Sequence, residues 1–228
     1  QRATVHGLEH DAADADGAES RGRVMATSSY NFLAFLDRSG LAQDECELFS
    51  VTTVLPSCSP RGPWLAGGAI RRTVLGQSLD SDFDYFFYDE AQLRAFADAI
   101  VALGGTLEKS TEHHESYRVL IDGKSRLVQC IKFKYYETAE QVVESFDYTI
   151  CQLASDGSRL IVGEHTLWDL GRKRLAIHEI TYPVSTMRRM LKYTRQGFYA
   201  CAGCMQAILA RTVASPELQM QLDTEYVD

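Results

Sequence analysis

Between Trp64 and Phe87 the chain reads WLAGGAIRRTVLGQSLDSDFDYFF. The apolar run Trp64-Leu65-Ala66 stops at Gly67-Gly68. A helical stretch from Ala69 to Leu75 ends at Gly76, and a strand-like run covers Phe83 to Tyr88. In a strand, Asp82 and Asp84 are two residues apart and share a face. Their mutual repulsion is costly unless a cation sits between them or one is protonated. Phe83, Tyr85, Phe86 and Phe87 anchor the strand in a core and put the acids at its rim. An Asp80/Asp82 register is the alternative, and the aromatic run favours the 82/84 pairing.

Two hard oxygen ligands on a rigid element suit Mg²⁺ (or Mn²⁺), with substrate phosphate oxygens as further ligands. Metal ions so held can activate an attacking hydroxyl and stabilise departing pyrophosphate. Gly67 and Gly68 let the backbone approach a phosphate closely, and the helix behind them offers N–H groups and a positive dipole end. Arg71 and Arg72 lie in its first turn, where their side chains could reach phosphate oxygens. The segment therefore reads as a cradle for a triphosphate and a metal. It is not a P-loop, since GxxxxGK[ST] is absent. The plain alternative is a turn or solvated strand end that happens to hold two acids.

Outward from this segment, residues 1–26 are polar and aperiodic and are expected to form a flexible tail. Residues 27–60 carry two helices. One is capped by Ser28 or Ser29 and runs to Arg38, and the other spans Gln43 to about Val54. Pro56 to Pro63 forms a join. An amphipathic helix is expected over 90–103, with Leu93, Phe96, Ile100 and Leu103 on one face. Strands are expected at 106–111, 116–121 and 125–133, the last two joined at Asp122-Gly123. A helix at 137–145 precedes strands at 147–153 and 159–163, joined at Asp156-Gly157. A short strand fits 174–179, a helix opens at Pro183 and Ser185, and a last helix covers about 200–212. The order predicts an α/β (α+β) fold: a small mixed or antiparallel sheet with flanking helices over 61–181, and a helical segment over 182–228.

Composition narrows the function. Hydrophobic residues make up 45% of the 228, enough for a core. No run of 18 or more apolar residues exists, so no transmembrane helix is expected. The amino end is polar and acidic, unlike a signal peptide. A cytoplasmic, intracellular setting follows, with the six cysteines reduced. Cys201 and Cys204 form a CxxC in an apolar helix with no second pair at zinc spacing, so a structural role is expected. The net charge of −8 counts against a long nucleic-acid surface and leaves room for a local basic patch. Arg188, Arg189, Lys192 and Arg195 make one basic stripe, which could be a solvated face or could meet a triphosphate or an RNA backbone. Arg172-Lys173-Arg174 reads as an exposed turn.

The segment from Gly67 to Asp84 resembles the glycine-pair and acid-x-acid signature of the DNA polymerase β-like nucleotidyltransferase superfamily. Gly67-Gly68-Ala-Ile-Arg71-Arg72-Thr-Val-Leu-Gly76 is similar to the opening of the poly(A) polymerase and CCA-adding head domain. Phe146-Asp147-Tyr148-Thr149-Ile150-Cys151 and Ser185 to Tyr193 resemble two later motifs of that domain, in the expected order. The resemblance implies a nucleotidyltransferase fold and transfer of a nucleoside monophosphate from an NTP to a hydroxyl, with pyrophosphate released. It implies that Asp82 and Asp84 hold the metals, that Asp147 is a third acid or a ribose contact, and that Arg188 and Arg189 contact nucleotide. RNA or tRNA is an acceptor it suggests. A capping role for Asp147 remains the alternative. Arg72 stands where the domain has Asp, Ser145-Phe146 where it has two arginines, and Cys151 where it has Asn. The chain beyond residue 198 is too short for a full tRNA-binding body, so a short stand-alone relative is expected, of the kind found in toxin systems, viruses or phages. A non-catalytic nucleotide-binding or toxin–antitoxin-type module on the same fold is the competing reading.

Overall fold

The computed structural model describes residues 27–41 and 46–214. The expected tail at 1–26, the start of the second helix and the residues after 214 lie outside the described residues. In chain order the elements are β1 (Ser28–Asn31), α1 (Phe32–Arg38), α2 (Glu47–Val54), β2 (Trp64–Ala66), α3 (Gly68–Val74), β3 (Phe83–Phe86) and α4 (Glu90–Ala102). Next come β4 (Thr106–Ser110), β5 (His114–Ile121), β6 (Lys124–Ile131), α5 (Ala139–Glu144), β7 (Leu153–Ser155) and β8 (Arg159–Val162). The last are α6 (Thr166–Gly171), β9 (Arg174–Leu175), α7 (Pro183–Arg195), β10 (Tyr199–Ala200) and α8 (Ala202–Val213). Eight strands form one sheet in the order β1-β8-β7-β2-β3-β6-β5-β4. Only β3 and β6 pair in parallel within it. This is the expected mixed α/β architecture, a mostly antiparallel sheet flanked by helices.

Alternation along β3 divides the sheet's two faces. Phe83 and Tyr85 are fully buried in the main core with Leu93, Phe96 and Ile100 of α4. The Tyr85 and Phe96 rings lie 4.5 Å apart. Each such side chain removed from water contributes about 1.5–3 kcal/mol. Asp89 fixes the start of α4 by accepting the Gln92 N–H at 2.8 Å. On the other face Phe86 joins Trp64, Ala66 and Tyr136 in a smaller core closed by Val142 and Val143 of α5. The acids alternate onto this second face, beyond the edge of its apolar patch. The hairpin of β5 and β6 turns at Asp122 and Gly123, at φ 50° and 74°. Two central residues of positive φ match the right-handed twist of the strands they join.

Several local expectations change. Ser28 and Ser29 lie in β1, paired with Val162 and Ile161 of β8. Asn31 caps α1 instead, accepting from the Ala34 N–H at 2.9 Å. The strand expected over 147–153 is a short 3₁₀ turn at Thr149–Cys151, followed by β7. Side chains of α6 hold that turn: the Thr166 hydroxyl donates to the Thr149 carbonyl at 2.8 Å, and the Thr149 hydroxyl donates to Asp169 at 2.6 Å. With local partners available, the backbone there needs no ladder. The strand expected at 174–179 shrinks to β9, which pairs with β10 in a separate two-stranded ribbon.

Candidate active site

The end of β2 and the acids of β3 are neighbours, because Ala66 faces Asp84 across the antiparallel ladder. The chain then turns at Gly67, whose φ of 75° and ψ of −125° are open in practice only to glycine. The Gly67 N–H donates to the Leu153 carbonyl at 2.9 Å, which pins the turn to β7. A methyl group at Gly67 would stand 3.3 Å from the Phe146 ring and 3.9 Å from an Asp84 carboxylate oxygen. One at Gly68 would meet the Ser81 hydroxyl at 2.8 Å. The glycine pair thus brings bare backbone against the acidic strand, and α3 opens beside it.

Asp82 and Asp84 are both half-buried. Burial pushes the Asp84 carboxyl up to about 7, the Asp82 charge pushes the same way, and Lys192 and Arg189 oppose both. Burial raises Asp82 too, against the charges of Lys192, Arg118 and His114. The acids are therefore close enough to repel, and the cations around them compensate only in part. The parallel ladder sets Asp84 opposite Gln129 of β6. The Gln129 amide donates to an Asp82 oxygen at 2.9 Å. Two carboxylates on a rigid strand, with an excess of negative charge, fit a small divalent cation that takes one or two protein carboxylates and fills its remaining positions with water and phosphate. Among the described residues no group of three or more His, Cys, Asp or Glu side chains forms a cage.

Asp147 is buried, but it does not join the pair as a third acid. One of its oxygens accepts from the Thr186 hydroxyl at 3.0 Å and from Arg189 at 2.7 Å, both on α7. It thereby fixes the arginine whose charge acts on Asp84. Lys192, one turn further on and exposed, acts on both acids. Arg188 lies half-buried on the same helix. The basic stripe read from the sequence thus turns part of itself, Arg189 and Lys192, toward the acid pair.

The arginines of α3 take other roles. Arg71 is buried in the seam with the carboxy-terminal helices. It donates to Gln196 at 2.9 Å and to the Cys151 sulfur at 3.4 Å, and lies 4.7 Å above the Tyr193 ring. A guanidinium with these partners is satisfied by hydrogen bonds and ring faces, and it is not extended toward the glycine turn. Arg72 donates to the Ser78 carbonyl at 3.1 Å and braces the loop before the acids. Phe146 lays its ring against Gly67. Sequence reasoning missed Gln129. No local pattern marks it, because only the parallel pairing of β6 with β3 brings it to the acids.

A glycine turn set against paired aspartates, on a mostly antiparallel sheet flanked by helices, defines a nucleotidyltransferase-like fold. Solved CCA-adding enzymes are similar in structure. The Thermotoga maritima enzyme complexed with tRNA matches at a TM-score of 0.55 and 18% identity over 86% of this chain. A CCA-adding enzyme complexed with ATP matches at 0.57 and 17% over the same share. The chain itself belongs to the Gabija anti-defense 2 (Gad2) family, whose model matches residues 31–173. It spans about half the length of the two solved enzymes, 50% of each. None of the curated proteins matches the sequence. Among the described residues no helix is long and apolar enough to cross a membrane.

Proposed function

We propose that this chain is a metal-dependent nucleotidyltransferase that moves a nucleoside monophosphate from an NTP to an acceptor hydroxyl, with an RNA 3′ end as the favoured acceptor. The observation that carries the reading is the under-compensated pair Asp82 and Asp84 beside the bare backbone of Gly67 and Gly68. In this reading Asp82 and Asp84 hold Mg²⁺ or Mn²⁺, which would supply charge neutralisation at the triphosphate. Gln129 orients Asp82. Lys192 and Arg189 face the phosphates, with Arg189 held by Asp147, and Arg188 assists from the same helix. Gly67 and Gly68 let the triphosphate approach, while Arg71 and Arg72 support that loop from behind. The acceptor oxygen bonds to the α-phosphorus, the bond to the bridging oxygen breaks, pyrophosphate leaves, and the acceptor proton is released to solvent. The helices α7 and α8 close the cleft over the sheet.

The family's description ties it to countering the defence called Gabija, and the transfer would serve that end in the cytoplasm. The likeness to an enzyme complexed with tRNA and the basic stripe of α7 support RNA as the acceptor. Two observations favour a second reading, a non-catalytic nucleotide-binding module. The position opposite Asp84 is an amide, and Asp147 is committed to Arg189. Pyrophosphate release from each labelled NTP with total RNA, with and without Mg²⁺, separates the two. The transfer reading predicts labelled RNA from the unmutated chain and a loss on the order of 1000-fold in Asp82→Ala/Asp84→Ala. Saturable NTP binding with no pyrophosphate release in any acceptor pool would support the binding module.

A further inference from the structure

At the end of α6 aromatic and basic side chains meet on the surface. Trp168 is 59% exposed, with the Arg172 guanidinium 3.5 Å above its ring centroid. Arg172, Lys173 and Arg174 follow one another and are all exposed. Tyr199, 71% exposed, pairs with Arg174 across the β9–β10 ribbon and donates its N–H to the Lys173 carbonyl at 2.7 Å. Asp169 of the same helix is buried and already committed: Arg174 reaches it at 2.9 Å and the Thr149 hydroxyl at 2.6 Å. Arg172 and Lys173 therefore stand as surplus positive charge on a chain whose net charge is −8. A large exposed ring with a guanidinium on one face is not needed for packing. It matches the means by which proteins hold single-stranded nucleic acid, a base stacked on an aromatic face and phosphates met by nearby cations. The patch also continues from the end of α7, the helix that turns Lys192 toward the acid pair.

We infer that this patch docks a single-stranded segment of the RNA acceptor, with a base on the open face of Trp168 and the adjoining phosphates on Arg172 and Lys173. Tyr199 offers a second ring for a neighbouring base. The inference rests on the transfer reading for its purpose, while the binding itself needs no turnover.

The chain has two tryptophans, and Trp64 is fully buried, so quenching of tryptophan fluorescence by RNA reports on Trp168. The full chain would be titrated with an unlabelled oligoadenylate of about 12 nucleotides. Fluorescence anisotropy of a labelled copy would be followed in parallel, for the unmutated protein, Trp168→Ala and Arg172→Gln/Lys173→Gln. Saturable quenching is expected, with affinity about tenfold weaker in each variant and a shallower salt dependence in the double variant. Absence of quenching, or equal anisotropy affinities in all three proteins, would overturn the inference. Pyrophosphate release by the same three proteins, with each NTP, Mg²⁺ and total RNA added, keeps the two ideas apart. Release with equal RNA affinities in all three proteins sinks the docking site alone, and RNA binding at the patch with no release in any acceptor pool sinks the transfer reading alone.

Discussion

Glu115 and Asp84 lie close together in one sheet and meet opposite fates. Glu115 faces Cys130 across the β5–β6 ladder and Asp84 faces Gln129, the residue before it, so the two acids project from opposite faces. Glu115 is buried, yet bonds from Arg94 at 2.8 Å, the Tyr117 hydroxyl at 2.9 Å and Lys132 at 3.2 Å surround it. Against the cost of burial, those partners hold its carboxyl down at about 2. Asp84 has a second acid beside it and only partial relief from Lys192 and Arg189, and its carboxyl rises to about 7. An acid used for structure is given its counter-charges by the fold. An acid left short of them, beside a glycine turn, is arranged to receive a charge from outside.

The contrast can be broken most directly at Glu115. Replacing it with Gln is expected to cost about 1–3 kcal/mol of stability near neutral pH, because Arg94 and Lys132 lose their shared negative charge and one of the two acceptor oxygens becomes an amide donor, and to leave nucleotidyl transfer unchanged. The pH dependence follows from the signs. The folded-state value of Glu115 is depressed below the ordinary 4.5, so its stabilisation is present above that value and is lost as pH falls through about 2. Denaturant unfolding of both proteins across the acid range should show the difference between them shrinking there. A transfer defect in this variant would mean the two faces are not separate in role.

A smaller effect sharpens the comparison at the acid pair itself. Gln129→Glu adds a third carboxylate opposite Asp84. It should lower the melting temperature of the metal-free protein near neutral pH by a few degrees and tighten Mn²⁺ binding by about tenfold in a titration. Unchanged Mn²⁺ affinity would show that Gln129 lies outside the cation's reach.

Much of this was legible in the sequence because it is local. The glycine pair, the acid-x-acid strand, the amphipathic α4 and the Asp122-Gly123 turn each depend on residues a few positions apart. Gln129 was not legible, since its role exists only through a parallel pairing with a strand remote in sequence. Arg71 was read as facing phosphate because the sequence places it in the first turn of a helix opening at Ala69, whereas it lies in the last turn of α3. Tyr193, Gln196 and Cys151 draw it into the seam instead. Asp147 was read as starting a strand beside the acids, and Thr186 and Arg189 of α7 show it to be an anchor for that helix. The helix α6 is too short to show a period, and the same short helix both replaces the expected strand at 147–153 by a turn and carries Trp168.

The measurement that bears most directly on the central claim is the melting temperature of the unmutated protein and of Asp84→Asn, each with and without Mg²⁺, at about pH 8. The folded-state value of Asp84 lies above its ordinary 3.8, so its ionisation subtracts stability as pH rises from there through about 7, and at the chosen pH the full cost is present. The account predicts that Asp84→Asn melts higher than the unmutated protein without metal, and that Mg²⁺ raises the unmutated protein by a few degrees while leaving the variant unmoved. An equal response of both proteins to Mg²⁺, or a variant that melts lower in its absence, would contradict the claim that this pair of acids is held in wait for a cation.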